Sequence, residues 1–238
     1  MRLCLETEEP HDCRVIVDSQ RRKHGVTSYV DFQLPEPWVG EIDVAPILFV
    51  SSNPSIGDDK QTTGAAADDD VWESHHFAHG GGRRSYIQDG IRTTDSDGNP
   101  LQAVRYWSGA LARARELIPY REVVPGRDYA MTEIVHCKSR REFGVAAAAK
   151  TCAARHMENV LSISAARVVV SVGAFARNWF LGEGVSIPVS PIERTLGGRE
   201  RLLIFTPHFS PNNGGPQKIP LRYSADDVTL LIEAIRAG

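Results

Sequence analysis

A chain of 238 residues, 42% hydrophobic and 24% charged, can bury one substantial core, and the expectation is a single domain over 1–238. Its formal net charge of −3 excludes a whole-protein electrostatic footprint for nucleic acid, so any such surface must be local. No apolar run approaches the roughly 20 residues that cross a bilayer, and the N-terminal MRLCLETEEPHDC is too acidic and broken for a signal peptide, which predicts a cytoplasmic protein without membrane contact.

In chain order, APILFVSS (Ala45 to Ser52) is a short apolar run that ends in small polar residues before Pro54, the pattern of a buried parallel strand running into a loop. Residues 57–100 form an irregular insertion rich in Gly, Asp and Thr, and a loop of that length is either functional or disordered. PLQAVRYWSGALARARELI opens on Pro100, a first-turn residue, and sets Leu101, Val104, Leu111, Ala114, Leu117 and Ile118 on one helical stripe. DYAMTEIVHC (Asp128 to Cys137) is a second strand, and the alanine-rich GVAAAAKTCAARHMENVLSI is the next helix. Val168 to Val172 in ARVVVSVGAFA make a third strand, with Gly173 opening a helix, and RLLIFTPHF makes a fourth. SADDVTLLIEAIRAG has Ser224 as N-cap and Gly238 past its end. This alternation, with no internal repeat, predicts an α/β fold: three layers, α/β/α, around a central, mostly parallel four-stranded sheet.

In such a sheet ligands gather outside the carboxyl ends of the strands. Three polar groups fall there: SSNPSIG after the first strand, Glu133 and His136 late in the second, and PHFSPN after the fourth. Asn53 before Pro54 is by itself a turn residue, and His208 by itself a structural histidine; their joint placement is the signal. HCKSRRE (Lys138, Arg140, Arg141) and GGGRRS (Arg83, Arg84) are the basic runs that could meet phosphate, although such short runs are as a rule solvated surface. His75, His76 and His79 lie in a glycine-rich loop with no further ligand at helix or knuckle spacing, which argues against zinc, and DDKQTTGAAADDD reads as a solvated loop rather than a magnesium site. Cys4, Cys13, Cys137 and Cys152, in a reducing compartment, argue for free thiols or metal before disulfides.

The ordered set of motifs resembles the uracil-DNA glycosylase superfamily. SSNPS (Ser51 to Ser55) is similar to that superfamily's first motif in its GINPG form, and His208-Phe209-Ser210-Pro211 resembles its HPSP motif. TEIVHC, Cys152 and AARVVVSVG resemble, in that order, the TNVVKC segment, the later helix cysteine and the PxVVVxLG stretch of the iron–sulfur branches. LPEPWVGEIDVAPILFVSSNPS resembles the approach to the first motif, so that order and spacing agree from about Cys13 to Pro211. The resemblance implies a DNA glycosylase that hydrolyses the N-glycosidic bond of a flipped-out base, with DNA as partner and no obligate protein partner. It assigns Asn53 to orienting the attacking water, which an amide is too weakly basic to deprotonate, and His208 to donating to the departing base as an oxyanion hole would. It places Ser52 and Ser55 at the base, with Phe77 of SHHFAHGGG as the ring on its face, and Ser210, Asn212, Lys138 and Arg140 on the DNA. Cys137 and Cys152 match the last two ligands of the branches' 4Fe-4S cluster, with Cys13 and Cys4 completing the set. Cys4 and Cys13 stand wider apart than the usual close N-terminal pair, and buried free thiols are the alternative.

Two departures bear on the substrate. The superfamily has asparagine where this chain has Glu133; an ionised glutamate only accepts hydrogen bonds, so it would repel uracil's exocyclic oxygen and welcome the amine of a cytosine-type base, unless burial keeps it protonated. Ser55 leaves space at the base's five-position, where other members carry a tyrosine. Unmodified cytosine is excluded, since its excision would destroy the host genome. The expectation is therefore a modified cytosine foreign to the host, such as hydroxymethylated or glucosylated phage cytosine, and a role in antiphage defence. The alternatives are ordinary uracil excision in repair and a non-catalytic module that binds modified bases.

Overall fold

The structure is a computed structural model and describes residues 12–24, 35–55, 89–92, 99–100, 102–209 and 218–238. Its centre is one sheet of strands β1 (Ile47–Ser51), β2 (Tyr129–Glu133), β3 (Val168–Val172), β4 (Ile192–Leu196) and β5 (Arg199–Thr206), in the order β2-β1-β3-β5-β4. The four runs read from the sequence are its parallel strands. The expectation of four strands is corrected to five: β4 pairs antiparallel with β5 across a turn at Gly197-Gly198. IERTL escapes notice because an edge strand needs no continuous apolar run, and its three central residues are exposed.

Among the described residues five helices cover the sheet: α1 (Arg14–His24), α2 (Arg105–Leu117), α3 (Val145–Ile163), α4 (Gly173–Leu181) and α5 (Ala225–Arg236). Strand pleating sends alternate side chains to opposite faces. Ile47, Phe49, Met131, Val168, Val170 and Ile204 pack with Ala110, Leu111 and Leu117 of α2 and Leu231 and Ile235 of α5. On the other face Leu48, Val50, Ala130, Val169, Leu203 and Phe205 pack with Ile16 of α1, Met157 and Val160 of α3 and Ala176 of α4. These two buried faces are why the strands read as unbroken apolar runs. Helix α2 begins five residues after Pro100, with Val104 as an N-cap that makes no side-chain bond. Helix α5 opens as expected, on Ser224, whose hydroxyl accepts from the Asp227 backbone in a capping box. Among the described residues no helix is long and apolar enough to cross a membrane.

The β4–β5 hairpin is fastened to the C-terminal end of α3. Arg201, buried, donates through Nη2 to the carbonyls of Leu161 and Ser164, both at 2.7 Å, satisfying acceptors that the helix end leaves open. Gly197, at φ +57°, lies so close that a Cβ would meet the Leu161 carbonyl carbon at 2.3 Å, whereas a Cβ on Gly198, at φ +74°, would meet nothing within 4 Å. Gly198→Ala should therefore cost only the left-handed strain of about 1–2 kcal/mol, and Gly197→Ala distinctly more, because backbone cannot step aside as a rotamer can. Thermal melts of the two variants check this; equal losses would contradict the packing.

Candidate active site

The exits of β1 and β2 are laced together beyond the strands. Ser51 and Glu133 are the last residues in register. The backbone N–H groups of Ile134, Val135 and Ser139 then donate to the carbonyls of Ser51, Ser52 and Pro54 at 3.0, 2.9 and 3.0 Å. Side chains extend the lacing. Asn53 Nδ2 donates to the carbonyls of Pro54 (2.8 Å) and Ser139 (3.3 Å), and Ser52 Oγ donates to Glu142 Oε1 at 2.5 Å. With its amide hydrogens so engaged, Asn53 presents Oδ1 as the acceptor that a water could use. The second loop carries a single 3-10 turn, Arg140–Glu142, in which Arg141 and Glu142 adopt φ of +51° and +58°. Such values are uncommon outside glycine and persist where the surroundings impose them.

The pleat that sends Phe49 toward α2 also sends Ser51, Glu133 and Thr206 there, all three buried at carboxyl ends of their strands. The first turn of α2 lies over them. The Tyr106 ring is 5.5 Å from that of His208 and 5.4 Å from that of Phe209, and Phe209 meets Phe49 edge-on at 5.9 Å. Gly109 admits this packing, since a Cβ there would lie 2.5 Å from that of Phe209. Tyr106 Oη, Glu133 Oε2 and Thr206 Oγ1 are buried without a hydrogen-bond partner, although the Ser51 hydroxyl lies close enough to act on Tyr106 and Glu133. A buried polar atom left unpaired costs on the order of 1–3 kcal/mol. A polar ligand edge at the strand ends would relieve that cost.

Burial pushes the Glu133 carboxyl well above its ordinary value; Glu36 adds to the shift, and Lys138 and a hydrogen bond from Ser51 oppose it. The shift is toward the protonated acid, which has one O–H donor and one carbonyl acceptor where the carboxylate only accepts. Desolvation also lowers the pKa of His208, against the attraction of Glu142, so the neutral imidazole, which still carries one N–H donor, is favoured.

The structure brings Asn53, Glu133 and His208 to one end of the sheet. Lys138 is corrected: it is buried and ion-paired with Glu36, so it braces the β2 exit instead of meeting phosphate. Arg140 is exposed on the strained turn, and Ser55 is exposed beside Pro54. Ser52 is buried and gives its hydroxyl to Glu142, so it shapes the loop. Phe77, Ser210, Asn212, Cys4 and nearly all of the 57–100 insertion lie outside the described residues. Sequence reasoning missed Tyr106, Thr206 and Glu142. The available signal for Tyr106 was topological, because a helix that follows a parallel strand starts at the ligand-binding end of the sheet.

Cys13 and Cys152 are buried in the apolar cluster on the opposite face, Cys137 packs against it, and the His136 backbone N–H donates to Cys152 Sγ at 3.5 Å. The three cysteines thus lie on the same face of the sheet. Among the described residues, however, no three His, Cys, Asp or Glu side chains are spaced to grip a metal ion, and no chemical step is derived through one. Compared with known proteins, the chain matches no protein-family model and no curated sequence.

The raised Glu133 pKa fixes a pH dependence. Between the ordinary glutamate value, about 4.3, and the raised one, folded Glu133 binds more proton than unfolded Glu133, so stability falls as pH rises through that window. Glu133→Gln removes the penalty, and its melting temperature relative to wild type should climb from about pH 4 toward neutrality. A difference that stays constant with pH would contradict a buried, protonated Glu133.

Proposed function

We propose that the chain is a single-domain cytoplasmic DNA glycosylase, an N-glycosyl hydrolase that removes a flipped-out, five-substituted cytosine, with phage hydroxymethylated or glucosylated cytosine as its base and antiphage defence as its role. The observation that carries the reading is the gathering of Asn53, His208 and the buried acid Glu133 where β1, β5 and β2 end, beside polar atoms that lack partners. As the C1′–N1 bond breaks, the sugar becomes oxocarbenium-like and negative charge moves onto the base. A neutral imidazole N–H on the base oxygen stabilises that charge without desolvating a cation. Asn53 Oδ1 holds a water for the sugar carbon.

Protonated Glu133 suits cytosine at two points: its O–H donates to ring N3 and its carbonyl accepts from the exocyclic amine. Ser55 leaves the five-position open. The same acid supports a second reading, uracil excision, because with its roles exchanged it accepts from the uracil N3–H and donates to O4. Within the proposal the resemblance assigns a 4Fe-4S cluster to Cys4, Cys13, Cys137 and Cys152; the three described cysteines share the face away from the base but are not spaced to grip a metal ion as they stand.

Asn53→Ala and His208→Ala should each slow base release by roughly a hundred- to a thousand-fold, the effect of losing about 2.7–4 kcal/mol of transition-state stabilisation, with melting temperatures close to wild type. Quantifying abasic sites in a modified oligonucleotide measures it. Unchanged turnover in both variants would overturn the catalytic assignment, and binding without release by the wild type would indicate a modified-base-binding module.

A further inference from the structure

The proposed reaction needs a proton acceptor for its water, and Asn53 cannot be one, since an amide is not basic near neutral pH. The loop after β2 brings a carboxylate to the same place. Glu142 Oε1 accepts from the hydroxyl of Ser52, the residue before Asn53, at 2.5 Å, and Asn53 itself donates to the carbonyl of Ser139, three residues before Glu142. Ser139 clamps the turn from both sides, its N–H on the Pro54 carbonyl at 3.0 Å and its Oγ on the Phe143 carbonyl at 2.5 Å. Within that clamp Arg141 and Glu142 take up the left-handed backbone that side chains disfavour, a local cost with no evident packing return, since both residues are exposed. Glu142 also faces the other half of the site, because its charge acts on His208. Among the described residues, His208 feels its charge from across the site, and Arg140 and Arg141 share its turn.

Resting on the glycosylase reading, we propose that Glu142 is the general base that takes a proton from the water oriented by Asn53. The C1′–N1 bond breaks with its electron pair passing to N1 of the base, whose oxygen is held by His208. The water oxygen bonds to C1′ and gives one proton to Glu142 Oε2. Glu142 returns that proton to solvent, and the base anion takes one from solvent. The balance is one water consumed, one base released and one hemiacetal sugar left in the strand.

Glu142→Gln is the discriminating variant, because its amide oxygen can still accept from Ser52 Oγ while its basicity is gone. In single-turnover release of the base that wild type excises best, the variant should be about 10²–10⁴-fold slower. The wild-type rate should fall on the acid side as a carboxylate protonates, and that limb should vanish in the variant. Formate added to Glu142→Ala should restore part of the rate, which a purely structural role would not allow. Ser52→Ala, which keeps the carboxylate, should retain the acid limb. A Glu142→Gln rate within about threefold of wild type, a slowed variant that keeps the acid limb, or a Glu142→Ala variant indifferent to formate would overturn the inference while leaving the Asn53 and His208 assignment intact. No base release by the wild type would overturn the glycosylase reading and this inference with it.

Discussion

The site depends on hydrogen bonding between β1 and β2 that does not stop where the strands do. Because Ile134, Val135 and Ser139 continue to donate to the chain from Ser51 to Pro54, the two loops are joined into one hydrogen-bonded shelf. Asn53 is set by that shelf, since both of its amide donations go to carbonyls within it. Loops carry function well when a rigid scaffold positions them, and here the scaffold is a parallel sheet buried on both faces.

Above the shelf the fold accepts an electrostatic cost. Glu133 lies beside Tyr106 at the end of the edge strand β2, and the cation that acts on it, Lys138, is already ion-paired with Glu36. A carboxyl so placed relieves its desolvation by holding a proton, and becomes a donor where an ionised glutamate could only accept. Its Oε2, together with Tyr106 Oη and Thr206 Oγ1, is buried without a hydrogen-bond partner. Other buried polar atoms without a partner, among them Arg113 Nε and Ser171 Oγ, lie elsewhere, so what singles out these three is their shared place at the carboxyl ends of the strands, where a ligand could meet them.

The parallel strands were legible because both faces of each are buried: the stretch Val168–Val172 has no exposed position for a polar residue to mark. β4 was not, because an edge strand with three exposed central residues resembles a polar loop. The placement of Asn53, Glu133 and His208 at strand ends was legible, since each follows or ends an apolar run. Lys138 was misread because a lysine is almost never fully buried unless paired, and its partner Glu36 stands 102 residues away in sequence. Glu142 was invisible for a related reason, its role arising from a hydrogen bond to Ser52 across 90 residues and a backbone conformation that no residue type announces.

The most direct measurement is mass-spectrometric detection of released base, with abasic sites counted in the strand, from oligonucleotides carrying uracil, hypoxanthine, 5-hydroxymethylcytosine or its glucosylated form. The account predicts that the wild-type protein releases a modified cytosine and leaves an abasic site in its place. Intact strands and no free base from every oligonucleotide would contradict it.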